Sequence, residues 1–386
     1  MAGRKLAPGV LSYQQLRTAV RLGLIKSKEP LEERQFQPAS LDLRLGEKAY
    51  RVVASFLPKD AKVIKGVEAS PVLDMYEPDL VMYTVDLRGG AVLEKGCVYL
   101  VPLMESLKLP PGVQGRTNPK STTGRLDIFT RVITDYNPRF DEIREGYRGP
   151  LYLEVVPRSF SAKVKSGMSL NQLRLIVGDC AVSDSELADL HERVPLVYSD
   201  GGRALPLSDV RINDGLFMRV DLLGKETKAV IGFKSKKNSQ VIDLSNVDYY
   251  DPLDFWEQIY AHTKEALILE PEDFYILGSK ERVRVPPDFA AEMVAYDAGS
   301  GELRSHYAGF FDSGFGFGRG ELLGTRVVME VRAREVPFLV YDGQTFFRVK
   351  FEKMSTRPKK VYGELGSSYQ QQSLTLSKHF RRSYLP

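Results

Sequence analysis

Between Arg116 and Asp127 the chain reads Arg-Thr-Asn-Pro-Lys-Ser-Thr-Thr-Gly-Arg-Leu-Asp, twelve residues holding three cations and five hydroxyl or amide side chains. Almost nothing in it could fill a core, so the stretch presents donors. Arg offers planar bidentate contacts, Lys a point charge, and a turn adds backbone N–H groups. Phosphate oxygens fit such a set, a triphosphate above all; a solvated basic turn between two strands is the alternative that the string alone leaves open. Further on, residues 147–156 end in a run rich in aromatic and β-branched side chains, which predicts a strand with one carboxylate, Glu154, inside it. A Glu there is either outward-facing and inert or held inward for a purpose.

The elements that must position these groups read as β. After a short helix expected over 11–26, with Ser12 as its N-cap and Leu16, Val20 and Leu24 at helical spacing, the pattern changes. Short alternating runs broken by Gly and Pro follow (50–57, 81–87, 97–103), the signature of a sandwich or barrel. Residues 184–214 are polar and turn-rich and read as a linker. Residues 249–267, with the only Trp, Trp256, read as a helical insertion. The basic, polar tail 357–386 has the composition of a disordered end, or of a flap that orders over a ligand.

An internal repeat organises the chain. Leu93-Glu94 recurs as Leu269-Glu270, Pro110-Pro111 as Pro286-Pro287, Glu154 as Glu330 and Gly167 as Gly343, always 176 residues further on. Asp141 and Asp312 are 171 apart, so insertions compensate in between. The chain is therefore expected to hold two copies of one β unit. At the repeat offset Lys120, Ser121 and Arg125 face Tyr296, Asp297 and Gly301, so the second copy lacks the phosphate-type donors. It carries instead a polar cluster over 306–315 that includes His306 and Asp312.

The chain has 386 residues, 43% hydrophobic and 27% charged, with a net charge of +4, the composition of an ordinary soluble protein long enough for two domains. That charge is too mild for nucleic-acid binding by field alone and suits a small anion better. Two cysteines, Cys97 and Cys180, make no disulfide framework and point to a reducing cytoplasm. No apolar run approaches a membrane span.

Several segments together resemble the deoxycytidine triphosphate (dCTP) deaminases, which share a trimeric fold with the dUTP diphosphatases. They are residues 37–46 (Gln-Pro-Ala-Ser-Leu-Asp-Leu-Arg-Leu-Gly), 120–125 (Lys-Ser-Thr-Thr-Gly-Arg), Arg139-Phe140-Asp141, Leu153-Glu154, Gly167-Met168 with Gln172-Leu173, and Ser368-Tyr369-Gln370-Gln371-Gln372. The resemblance spans nearly the whole chain in the family's order. It implies two tandem, mainly β, dUTPase-like distorted barrels (β-clip) with a few short helices. Residues 1–183 form the first domain, 184–214 a linker, 215–354 a diverged second domain and 355–386 a tail that closes over nucleotide. Lys replaces the first Arg of the family's phosphate loop, the Ala-His pair before Arg139 is missing, and so is the Lys of the tail.

By the same resemblance the activity is hydrolytic deamination of dCTP to dUTP and ammonia in pyrimidine deoxynucleotide metabolism. Glu154 would be general base and then acid, and Ser121 and Arg125 would orient the water and steady charge at the ring. Lys120, Thr122, Arg139, Asp141, Gln172, Tyr369 and Gln372 would bind substrate, and the second copy could contribute His306, Asp312 and Glu330, the last as base in place of Glu154. Magnesium would come bound to the triphosphate. Zinc is not expected, since the chain lacks Cys-x-x-Cys and its four histidines lie far apart. A homo-oligomer, dTTP as feedback inhibitor, and neither nucleic acid nor membrane complete the implied partners. The alternatives are a dUTP diphosphatase, alone or combined with deamination and with Asp141 activating water, and a non-catalytic nucleotide-binding regulator.

Overall fold

The computed structural model describes residues 7–58, 63, 80–295, 303–306, 309–317, 323–333, 335–365, 369–370 and 372–382. The chain divides into two units, Met1–Asp179 with Gln240–Ser245, and Cys180–Ser239 with Asn246–Pro386. Among the described residues both are mainly β, with sheets of six, five and three strands in the first and six, four and two in the second. The helices among the described residues are short.

In the first unit, strand Arg148–Pro157 lies antiparallel between Val98–Lys108 and Ile128–Thr134 and is buried from Leu151 to Pro157. A central strand buried on both faces has to be near-continuously apolar, which Leu-Tyr-Leu-Glu-Val-Val is except at Glu154. Val52, Leu100, Ile133 and Tyr152 pack together beneath it. In the second sheet Ser169–Val177 runs between Val113–Pro119 and Leu41–Arg44, so the donor stretch leaves directly from the end of a strand.

The repeat is physical, because the same hydrogen bonds recur. Tyr99 Oη accepts from the Glu94 N–H (3.1 Å), and Tyr275 Oη from that of Glu270 (2.9 Å). Arg44 donates its N–H and Nε–H to Glu105 (2.7 and 2.9 Å), as Arg219 does to Glu281 (2.9 and 2.5 Å). The Gly167 N–H bonds Leu45 O and the Gly343 N–H bonds Val220 O, each glycine with φ near +80° (86° and 74°). A Cβ on Gly46 would come within 2.4 Å of Pro102 O; at the matching contact the second unit has Asp221 on Gly278, keeping one glycine on the opposite strand.

Three expectations change. Residues 184–214 are not a linker: Ser183 and Glu186 close a capping box on helix Asp184–Arg193, whose Leu187 and Leu190 join Leu196 and Val197 in the second unit's core. This helix is the counterpart of Tyr13–Arg21, where Gln15 caps back onto the Ser12 N–H (2.9 Å). With few apolar residues on one side, it left little periodic signal. Residues 249–267 hold a single turn, Pro252–Phe255, and then strands Trp256–Tyr260 and Ala266–Leu269. The tail is no loose flap. Tyr369, Leu374, Leu376 and Phe380 are buried, and the Phe380 ring packs 6.4, 5.4 and 6.0 Å from those of Tyr250, Phe255 and Trp256. A polar composition concealed a few well-spaced apolar anchors.

Candidate active site

Strand Val113–Pro119 ends at a proline, which offers no N–H to extend the ladder. Lys120 then takes an extended conformation and caps the turn Ser121–Gly124, its C=O accepting from the Thr123 and Gly124 N–H groups (2.8 and 2.9 Å). Asp127 closes the turn at φ 54°, held by a bond from Ser159 Oγ (2.6 Å). Ser121 and Thr122 stay half-buried while Arg125 is buried. The Lys120 ammonium pairs with the Asp42 carboxylate. Gln172 lies across from both Asn118 and Asp42, accepting from Ser40 Oγ (3.0 Å) and donating to Pro119 O (3.4 Å). Thus Lys120, Ser121, Thr122 and Gln172 gather at one end of the second sheet with Ser40 and Asp42, which were legible only as part of a motif.

Glu154 is 2% exposed, in the middle of its strand, opposite Leu100 on one side and Arg131 on the other. Burying a carboxylate requires a partner. Arg131 supplies it, donating from Nε (2.9 Å) and Nη2 (2.5 Å) to the same oxygen, Oε1. Nη2 also donates to Ser55 Oγ (2.7 Å), and the guanidinium lies 3.5 Å from the Phe140 ring centroid and 4.7 Å from that of Phe129. Arg131 was missed from the sequence; the available signal was a cation alternating inside Ile128–Thr134, two strand positions from Phe129.

Asp141 adopts φ 60° and accepts from the Thr117 hydroxyl and the Val132 N–H, both at 2.8 Å. Burial pushes its carboxyl up to about 7, against those two bonds; the nearby Arg131 favours its charge and Glu154 opposes it. Thr117 lies on the strand that leads to the donor turn, so Asp141 is tied to that strand while sharing the electrostatics of Glu154. Arg139 is separate: its side chain is 71% exposed and pairs with Glu142 at 3.0 Å. The Glu154 carboxylate has the Arg131 guanidinium as its only hydrogen-bond partner among the described residues, so Ser121 and Arg125 do not bond it.

In the second unit Glu330 is buried, opposite Ile276 and His306, the same cross-strand triple as Leu100, Glu154 and Arg131. The expected match of Asp312 with Asp141 is corrected by register. The Met293 N–H bonds Gly309 O as that of Thr117 bonds Asp141 O, so Gly309 is the counterpart and Asp312 falls where Arg144 lies. Residues 296, 297 and 301, opposite Lys120, Ser121 and Arg125, lie outside the described residues, as do 307–308, 366–368 and 371. Tyr369 is buried with its hydroxyl accepting from the Lys378 N–H (3.3 Å), and Gln372 donates to Arg326 O (3.2 Å), so both serve the second unit's own packing. His191 and His379 are likewise buried and bonded to backbone. No three His, Cys, Asp or Glu side chains gather as a metal site among the described residues.

The profile of the 2'-deoxycytidine 5'-triphosphate deaminase N-terminal domain matches residues 7–179, and that of the C-terminal domain residues 183–380. The chain belongs to the dCTP deaminase family. A crystal structure of the 2'-deoxycytidine 5'-triphosphate deaminase from Agrobacterium tumefaciens is similar over 90% of this chain and 99% of that one, with 44% identity and a TM-score of 0.81. Shorter relatives match about one unit's length. A "dCTP deaminase, dUMP-forming" from Methanothermobacter thermautotrophicus is 29% identical over 153 residues, 38% of this chain and 67% of that protein. One from Sulfurihydrogenibium sp. is 26% identical over 165 residues, 42% and 81%. The dUTPase-like β fold expected from the motifs agrees with these matches.

Proposed function

We propose that the chain is a hydrolase of the cyclic amidine C–N bond of dCTP, with Glu154 as the group that moves protons. The observation that carries the reading is a buried carboxylate pinned through one oxygen beside a second carboxyl group of raised pKa. Water adds to C4 of the cytosine as Glu154 takes its proton and passes it to N3; the second proton leaves with ammonia, and dUTP remains. Asp141, its carboxyl pushed up to about 7 by burial, is assigned to holding substrate and not to this proton transfer. Ser121 and Arg125 are assigned to charge developing at the ring, and Lys120, Thr122 and Gln172 to phosphate. Lys120 would then exchange or share Asp42 with the triphosphate.

Magnesium would arrive on the triphosphate, which asks few ligands of the protein. The fit rests on the donor set of Lys120, Ser121 and Thr122, cationic and hydroxylic, with Asp42 already engaged by Lys120. A homo-oligomer, dTTP inhibition and a cytoplasmic setting are carried forward as part of this reading. A second reading, deamination followed by diphosphate release, is favoured by the dUMP-forming names of the shorter relatives. Incubating the protein with dCTP and magnesium, after zinc chelation, tests both: ammonia with dUTP supports the first, and ammonia with dUMP and diphosphate the second. No ammonia would overturn both.

A further inference from the structure

We infer that Arg131 is a positioning residue for this reaction, acting through Glu154; the inference rests on Glu154 being the base. Both Arg131 bonds end on Oε1, at 2.9 and 2.5 Å, so Oε2 accepts no hydrogen bond among the described residues. A carboxylate held this way cannot rotate freely, and its unshared oxygen has one direction in which to meet a water. The guanidinium is itself held on three sides: Ser55 Oγ takes Nη2 at 2.7 Å, and the rings of Phe140 and Phe129 lie 3.5 and 4.7 Å away. A plain charge-neutralising pair would not need that frame, since a lysine could supply the charge, but only a planar fork can be stacked and aimed at once. The remaining neighbours do not compete for the carboxylate. Asp141 spends its Oδ1 on Thr117 and Val132, Leu100 opposite is apolar, and Tyr50 beyond it lies on the next strand.

The second unit supports the assignment by contrast, since His306 takes the register position of Arg131 opposite Glu330. The fork is therefore not a requirement of the fold, which closes the same strand triple without it.

The test is steady-state deamination of dCTP by the full chain carrying Arg131→Ala, Arg131→Lys or Glu154→Gln, with folding checked by thermal unfolding. Arg131→Ala is expected to lower kcat by about 10²-fold with KM little changed, the scale of a misaimed catalytic group. Guanidinium ion, added well below denaturing concentrations, should restore part of that kcat saturably, and Arg131→Lys should recover less than wild type. Glu154→Gln should be inactive and not rescued. An Arg131→Ala enzyme with wild-type kcat, or one whose loss follows its folded fraction and ignores guanidinium, overturns the inference while an inactive Glu154→Gln leaves the parent reading standing. An active Glu154→Gln overturns both. Should Arg131→Ala fail to fold, Ser55→Ala loosens the same guanidinium; a kcat reduced severalfold at constant KM supports the inference, and an unchanged kcat overturns it.

Discussion

The two units use one set of backbone-directed contacts and different side chains in the middle of the same strand. Arg44 with Glu105 and Arg219 with Glu281 brace equivalent strands, and Tyr99 and Tyr275 take the same N–H. Yet Glu154 faces an arginine locked by two rings, whereas Glu330 faces His306 in register, and the Asp141 position has become Gly309. Contacts that close the barrel answer to the backbone and persist in both copies. The side chains in the middle of that strand are not set by those contacts, and they differ between the copies.

The largest expected effect tests that division directly. Glu154→Gln should reduce turnover roughly 10²–10⁴-fold with dCTP still bound, while Glu330→Gln stays near wild type. Calorimetric or fluorescence titration with dCTP alongside single-turnover assays would read both; an inactive Glu330→Gln with an active Glu154→Gln reverses the roles of the units.

Next in size is the tail. Because Phe380 fills a cluster with Tyr250, Phe255 and Trp256, Phe380→Ala should cost about 3–5 kcal/mol, read as a lower denaturant midpoint for the second unit alone. Truncation after Met354 should abolish that unit's cooperative transition; an unchanged transition would restore the view of the tail as a free flap.

The shared brace should break unequally. Arg44 is 5% exposed and Arg219 46%, while Glu105 and Glu281 are both buried, so either substitution leaves a buried carboxylate without its cation; Arg44→Met should cost roughly 3–5 kcal/mol and Arg219→Met less, since water reaches the place the Arg219 side chain vacates. Equal losses in urea unfolding would mean that burial does not separate the two units.

The smallest effect is in pH dependence. With the folded pKa of Asp141 raised to about 7 from 3.8, the folded state binds more protons than the unfolded one between those values. Its contribution to stability is therefore present at low pH and falls as pH rises from about 4 to 7. Asp141→Asn, which keeps an acceptor for Thr117 and Val132, should show a shallower decline over that window, and identical slopes for the two proteins would contradict the raised pKa.

Composition, local turn chemistry and the 176-residue repeat were enough to reveal a mainly β chain in two copies, a donor turn at 120–125 and a carboxylate inside a strand at Glu154. These are local facts: a turn declares itself by Pro, Gly and hydroxyls, and a strand by its β-branched run. Tertiary structure alone decided what those groups meet. Arg131 and Glu154 are 23 residues apart and become partners through the register of two strands, and Asp42 and Lys120, 78 apart, meet because strand Ser169–Val177 pairs with both of their segments. Spacing in the sequence pointed from Asp141 to Asp312, but a hydrogen-bonded register counts strand positions and skips insertions, and so it chose Gly309. The same holds for helix Asp184–Arg193 and for Phe380, whose roles depend on a core assembled from residues far along the chain.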